Sequence, residues 1–265
     1  VHVVAVSELA RQGVKGVLTG EGADELLGGY PRYYIPRLAA ALDRLPGLLR
    51  TPLLALAGKL PDHRIRKLAT FAQESPDQRL LFTSTPVDPA LVGRVLKRPI
   101  ADSDWKFRRD LVTRTGDMSR IDFETYLVSI LNRQDKISMA TSLEARVPFL
   151  DNEIIDLARS LPPEFKQTLR HRKRVLKDVA RRYLPGEIVD RRKSGFGVPL
   201  PQWLRSNGPA ATLLAETVVE PAVTDLLDRN LLKQTLSEYQ TGARDHSELL
   251  WSILNLGLWR KAFKC

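Results

Sequence analysis

Three carboxylates, Glu21, Asp24 and Glu25, fall within five positions of the run Val17-Leu-Thr-Gly-Glu-Gly-Ala-Asp-Glu-Leu-Leu-Gly-Gly-Tyr30. Beside a polyphosphate, carboxylates grouped like this could hold Mg2+ and orient or deprotonate a reacting group. Gly20 and Gly22 would let the backbone approach a ligand and take positive φ where required. A loop that cradles phosphate by itself would favour Lys, Ser or Thr, so the acidity sets this one apart. Its place in the chain adds to the interest. Residues 14–18 read as the end of a buried strand, and the residues after Gly22 as the first turn of a helix. Strand-to-helix turns of parallel sheets are where ligands bind, because backbone N–H groups and the helix dipole point out there. The same spacing also suits a plain connection whose acidic residues cap a helix N-terminus. Spacing leaves both readings open.

Two cations stand out further along. Phe123, Tyr126, Leu127, Ile130, Leu131 and Gln134 make a helical stripe over residues 122–136, so Arg133 emerges near the helix C-terminus. It could grip a carboxylate or phosphate bidentately, or only complement the C-terminal dipole. Lys193 lies in residues 191–201, a stretch with two glycines and two prolines that reads as an ordered loop able to fold over a site. Its compact charge suits polyphosphate, although a basic surface loop would look the same. Glu144 and Arg146 read as a buried, structural ion pair shaping the loop before Pro148. The four histidines are scattered, with no Cys or carboxylate at metal spacing, so no zinc site is expected.

Composition narrows the classes. A chain of 265 residues with 43% hydrophobic and 27% charged content can bury a sizeable core as a soluble globular protein. The single cysteine, Cys265, cannot form an internal disulfide, which fits a reducing cytoplasm. The most apolar run, residues 51–58, is far short of a membrane span. The net charge of +10 concentrates in residues 170–193, where Val175, Leu176, Val179, Ala180 and Tyr183 fall at helical spacing. An amphipathic helix with a solvated basic face is expected there, and no nucleic-acid module is recognisable. A positive field would also draw in anionic small molecules.

Other elements must position these groups. Residues 1–13 read as a helix with Val3, Val6, Leu9 and Ala10 on one face, feeding the strand at 14–18. Helices are expected over 32–45, 51–60 and 63–75, punctuated by Pro46, Pro52, Pro61 and Pro76. The interval 46–116 reads as helical and without chemistry. Asp151 should cap a helix through Ile154, Ile155, Leu157 and Ala158. Helices at 210–219, 225–239 and 247–262 complete the chain, the last packed inside because it is apolar on most faces.

Three blocks together carry a resemblance. Thr19-Gly20-Glu21-Gly22-Ala23-Asp24-Glu25 with Gly28-Gly29-Tyr30 resembles the S/T-G-(E/D)-G-(S/A/G)-D-E-x-x-G-G-Y signature of glutamine-hydrolysing asparagine synthetases. Leu131-Asn-Arg-Gln-Asp-Lys-Ile-Ser-Met-Ala-Thr-Ser-Leu-Glu-Ala-Arg-Val-Pro-Phe-Leu-Asp151 is similar to that family's R-x-D/N-K-x-S-M…E-x-R-V-P-F-L-D element. Arg191-Arg-Lys-Ser-Gly-Phe-Gly-Val-Pro199 is similar to its lysine loop. Blocks in this order are far more specific than any one alone.

The resemblance implies a helix-rich α/β fold, part of a PP-loop ATP-pyrophosphatase domain with a large helical C-terminal portion. The family's S-G-G-x-D-S pyrophosphate loop and its N-terminal nucleophilic cysteine have no counterpart in this sequence. The chain therefore reads as the C-terminal part of a synthetase domain. Residues 1–45 would be the remnant of the nucleotide-binding region, 46–116 a helical insertion and 117–265 the helical C-terminal region.

The implied reaction in the intact protein uses ATP and Mg2+ to convert aspartate into β-aspartyl-AMP, which ammonia from glutamine turns into asparagine. Glu21 and Lys193 would be catalytic, with Thr19, Gly20, Gly22 and Lys193 meeting the nucleotide. Asp24 would share the metal, and Arg133 and Glu25 would bind substrate. Partners would be small molecules, with neither nucleic acid nor membrane, and homodimerisation is left open. Two alternatives remain. One is a related amidoligase, β-lactam synthetase-like or acting on a cell-surface sugar or peptide. The other is a non-catalytic helical fragment that binds a partner.

Overall fold

In the computed structural model the described residues are 2–60, 68–69, 71–75, 79, 87, 89–98, 102–115, 117–191, 198–205 and 208–264. The chain divides into two units, Val1–Ser84 with Arg108–Ser194, and Thr85–Phe107 with Gly195–Cys265.

The first unit opens with helix α1, His2–Arg11. Its inward face is Val3, Ser7 and Ala10, not the expected apolar stripe, since Val6 and Leu9 are 57% and 69% exposed. Strand β1, Gly16–Leu18, pairs in parallel with β2, Glu144–Arg146, in the register Gly16↔Glu144, Val17↔Ala145 and Leu18↔Arg146. These are the two strands among the described residues. The expectation of a buried strand is corrected. Leu18 is 75% exposed, and only the alternating Val17 is half-buried, because a two-stranded ribbon covers little of its own surface.

The helix expected over 122–136 is two helices, Met118–Glu124 and Tyr126–Ala140. Thr125 breaks them apart at φ −127°, ψ −71°, and its Oγ1 donates back to Ile121 O at 2.6 Å. Asp117 caps the first, accepting from Ser119 N at 2.8 Å. Met118 and Ile121 pack with Tyr33, Leu111 and Val112. The second helix closes with Ser142 in the left-handed region and Leu143 N donating to Ser138 O, which turns the chain into β2.

Helix α2, Ala23–Leu27, follows the acidic loop and buries Leu26 and Leu27 against Ala158. Phe123, Leu150, Ile155, Val175 and Leu176 flank that core. Burying each leucine contributes roughly 1.5–3 kcal/mol, so the loop sits on a firm floor. As expected, Asp151 caps the helix Asn152–Ser160, accepting from Glu153 N at 2.9 Å. The basic helix is shorter than expected, Arg174–Ala180, with Val179 and Tyr183 exposed. The helix expected at 51–60 starts earlier, at Gly47, and runs to Ala57 with Pro52 inside. Buried Arg79 ties Asp43 and the carbonyls of Phe71 and Ala72 together.

The second unit is a helical core. Leu214, Leu232, Tyr239, Leu250, Ile253 and Leu254 form its centre. Gly257 lets two helices approach, for a Cβ there would overlap Thr217 Cγ2. The last helix, Ser247–Phe263, is only partly internal: Leu249, Leu250, Ile253 and Leu254 are buried, whereas Leu258 and Trp259 are exposed. No helix among the described residues is long and apolar enough to cross a membrane.

Candidate functional site

The acidic loop leaves the carboxyl end of β1. Thr19 N donates to Arg146 O at 2.8 Å, which extends the β1–β2 ladder by one bond. Gly22 then takes φ +85° and becomes the N-cap of α2. A side chain there would be strained by the backbone and would also overlap Leu150 Cδ2. Gly28 closes α2 at φ +71°, with Gly29 N donating to Asp24 O at 2.8 Å. Gly20 differs from both, because a Cβ built there would meet nothing within 4 Å. Thr19 Oγ1 is buried and has no hydrogen-bond partner among the described residues. Glu21 is half-buried at the apex of the loop.

Residues 166–173 hold the loop from outside. Gln167 is buried and its Nε2 donates to Tyr30 O at 2.9 Å. Lys173 Nζ pairs with Asp24 Oδ1 at 3.1 Å. Glu25 faces the interior instead. It is 3% exposed, accepts from the Tyr30 hydroxyl at 3.0 Å, and has its pKa raised first by burial and further by nearby Asp24 and Asp122. Burial likewise raises the Tyr30 hydroxyl. The Glu25 side of α2 lines a cavity of about 210 Å³ with Asp117, Arg120, Phe123, Arg159 and Lys166. Burial lowers the pKa of Lys166 there. Beyond it, Arg32 Nε and Nη2 donate to Asp122 Oδ2 at 3.0 and 2.6 Å, and the guanidinium lies over the Tyr30 ring at 4.7 Å. Asp122 is 1% exposed, so this pair anchors the end of the loop to the Met118–Glu124 helix.

The structure thus brings Thr19, Gly20, Glu21, Gly22 and Asp24 into one loop and turns Glu25 inward. Arg133 is exposed on the Tyr126–Ala140 helix and makes no hydrogen bond or ion pair among the described residues. Lys193 lies outside the described residues. Glu144 and Arg146 are corrected. They do pair, Nε to Oε1 at 3.0 Å, but with side chains 59% and 69% exposed, since positions i and i+2 of β2 share an outward face. Lys173, Gln167 and Arg32 were not singled out from the sequence. Nothing in the basic run around Lys173 marks it, and only the Gly-Gly-Tyr-Pro-Arg continuation of the loop motif hinted at Arg32. No group of three His, Cys, Asp or Glu able to hold a metal occurs among the described residues.

The model of the asparagine synthase family matches residues 2–261. The chain belongs to the asparagine synthase family. The fold is the helix-rich α/β type of the PP-loop ATP pyrophosphatases, and the chemistry of that family is ATP-dependent amidation. This asparagine synthase domain is 35% identical over 97% of its length to a putative glutamine-hydrolysing asparagine synthetase of Mycobacterium tuberculosis. It is 29% identical over 96% to glutamine-hydrolysing asparagine synthetase 1 of Bacillus subtilis. It spans 41% of the length of each of these relatives. The amidase chry2 of Gibberella zeae is 24% identical over 81% of the domain, which covers 36% of that relative.

Proposed function

We propose that the intact protein makes asparagine, activating the β-carboxylate of aspartate with ATP and aminating the resulting β-aspartyl-AMP with ammonia from glutamine. Carboxylates resist amines until a leaving group is installed, and adenylation installs one. The observation that carries this reading is the acidic loop at the carboxyl end of β1, where, among the described residues, nothing crowds Gly20 and Thr19 Oγ1 has no hydrogen-bond partner. Those features fit a nucleotide approaching the backbone, with Thr19, Gly20 and Gly22 as the residues that would meet it. Asp24 would be one of the carboxylates that share Mg2+, with substrate phosphates and water completing the shell. The metal would supply neutralisation of phosphate charge. Glu21, half-buried at the apex, would be the base that takes a proton from the nitrogen as ammonia adds to the acyl-adenylate. Lys193 would steady departing pyrophosphate, and Arg133 and Glu25 would recognise the amino acid, Glu25 from within the fold.

The test is aspartate-dependent ATP–pyrophosphate exchange, followed by asparagine formation, in the full-length protein. Glu21→Gln should remove asparagine formation. Wild-type turnover in that variant would end the assignment of Glu21.

The similarity to an amidase favours a second reading, in which the same ATP chemistry serves another carboxylate. Pyrophosphate release measured across a panel of carboxylic acids separates the two. A preference for aspartate supports the first.

A further inference from the structure

The segment that grips the acidic loop ends on a strained lysine. After the helix Pro163–Lys166, a tight turn forms in which Thr168 N donates to His171 O at 2.8 Å and His171 N to Thr168 Oγ1 at 3.1 Å. It delivers Lys173 at φ +52°, ψ +42°, the left-handed region that disfavours any residue with a Cβ. Such conformations persist where surrounding contacts over-determine them, and they cluster at functional sites. Here the contact is the ion pair to Asp24, with side chains only 25% and 19% exposed. Gly29 makes room for it, since a Cβ at that position would overlap Asp24 Oδ1 and come within 2.7 Å of Lys173 Cε. The second glycine of the Gly28-Gly29 pair and the left-handed lysine far along the chain therefore serve the same carboxylate.

We propose that Lys173 is a positioning residue for the adenylation step. Its ammonium fixes the orientation of the Asp24 carboxylate, and with it the acidic loop, without itself touching substrate. The inference rests on the acyl-adenylate reading above. A charge-assisted bond in a site this enclosed fixes direction as well as supplying energy.

The test uses the full-length enzyme, with ATP–pyrophosphate exchange as the readout, comparing Lys173→Met, Lys173→Arg, Asp24→Asn and the Lys173→Met/Asp24→Asn double variant. Lys173→Met should lower kcat about 10- to 100-fold, the scale of one hydrogen bond to a charged group, with KM for aspartate unchanged. Lys173→Arg should recover most of that loss. The double variant should be no slower than Asp24→Asn alone, because Lys173 acts through Asp24. Full activity in Lys173→Met, or losses that multiply in the double variant, would overturn the proposal. If Lys173→Met does not fold, Lys173→Gln takes its place, and loss of fold in both makes Lys173 mere scaffold and overturns it as well. Amide hydrogen exchange over residues 19–30 gives a readout free of substrate. It should rise in Lys173→Met and return in Lys173→Arg, and an unchanged pattern overturns the proposal. A wild-type enzyme silent with every carboxylate would sink the functional reading alone, leaving the hydrogen-exchange comparison to judge Lys173.

Discussion

The acidic loop and the helical core of the second unit are held together by different forces. In the core, Leu214, Leu232, Tyr239 and Leu250 are fully buried, and burial itself supplies the stability. The loop depends on left-handed glycines, an ammonium on a carboxylate, and a buried glutamine donating to a backbone oxygen. Apolar packing tolerates small shifts, because it has no preferred direction. A carboxylate that must face a reacting group does not, and directional bonds provide what burial cannot. Damage to the two regions should therefore read out differently, as lost stability in one and lost turnover in the other.

The largest effect should come from the core. Leu250→Ala removes a side chain with no exposure and should cost about 2–5 kcal/mol, seen as a lowered denaturation midpoint for the second unit. Turnover per folded molecule should hardly change. A kcat deficit in fully folded Leu250→Ala would break the contrast.

Gly29→Ala inverts that pattern. The added methyl displaces Asp24 and Lys173, so exchange activity should fall at least as far as in Asp24→Asn, with a stability loss of about 1–3 kcal/mol. Retained activity would show that the pair near Gly29 adapts without consequence for the chemistry.

How much of this was legible follows from the range of each signal. The loop could be read because its glycines, carboxylates and caps all act within a few residues of one another. The contacts that hold it could not. Gln167 reaches Tyr30 across 137 positions, and a lysine inside Arg170-His-Arg-Lys-Arg174 looks like any solvated cation. The break at Thr125 was invisible for a different reason. The apolar stripe runs straight through it, while the side-chain hydroxyl bond to Ile121 O that accompanies the break leaves no periodic trace. Glu144 and Arg146 were correctly paired but wrongly buried. Their neighbours Val147-Pro-Phe-Leu150 are apolar, yet alternation along three residues of β2 turns both charges outward.

Two glutamates sharpen the comparison through pH. Burial raises Glu25 above its ordinary 4.5, so the folded state holds its proton longer than the unfolded chain does. That contribution is present at low pH and is lost as pH rises above the ordinary value. Glu238, in the second unit, is shifted down by its hydrogen bond with His246 at 2.8 Å, and then by Gln234. Its contribution is present above 4.5 and lost as pH falls below that value. Glu25→Gln keeps an oxygen to accept from Tyr30 and should remove the decline in stability of the first unit above 4.5. Glu238→Gln should instead make the second unit less sensitive to acid. Denaturation midpoints between mild acid and neutrality, followed separately for each unit, check both signs. Identical profiles for wild type and both variants would remove electrostatics from the comparison.

The smallest effect belongs to the pair that the sequence reads as buried and structural. Glu144→Gln leaves Arg146 in water, and exposed ion pairs contribute only about 0–1 kcal/mol. Stability should change by less than about 0.5 kcal/mol, and added salt should matter little to the difference. The backbone of Arg146 matters more than its charge, because its carbonyl accepts from Thr19 N and starts the loop in the right direction. A large loss of exchange activity in Glu144→Gln with stability unchanged would move the pair from the scaffold to the chemistry. It would then stand beside Asp24 and Lys173 as a second directional contact, at the opposite end of the same loop.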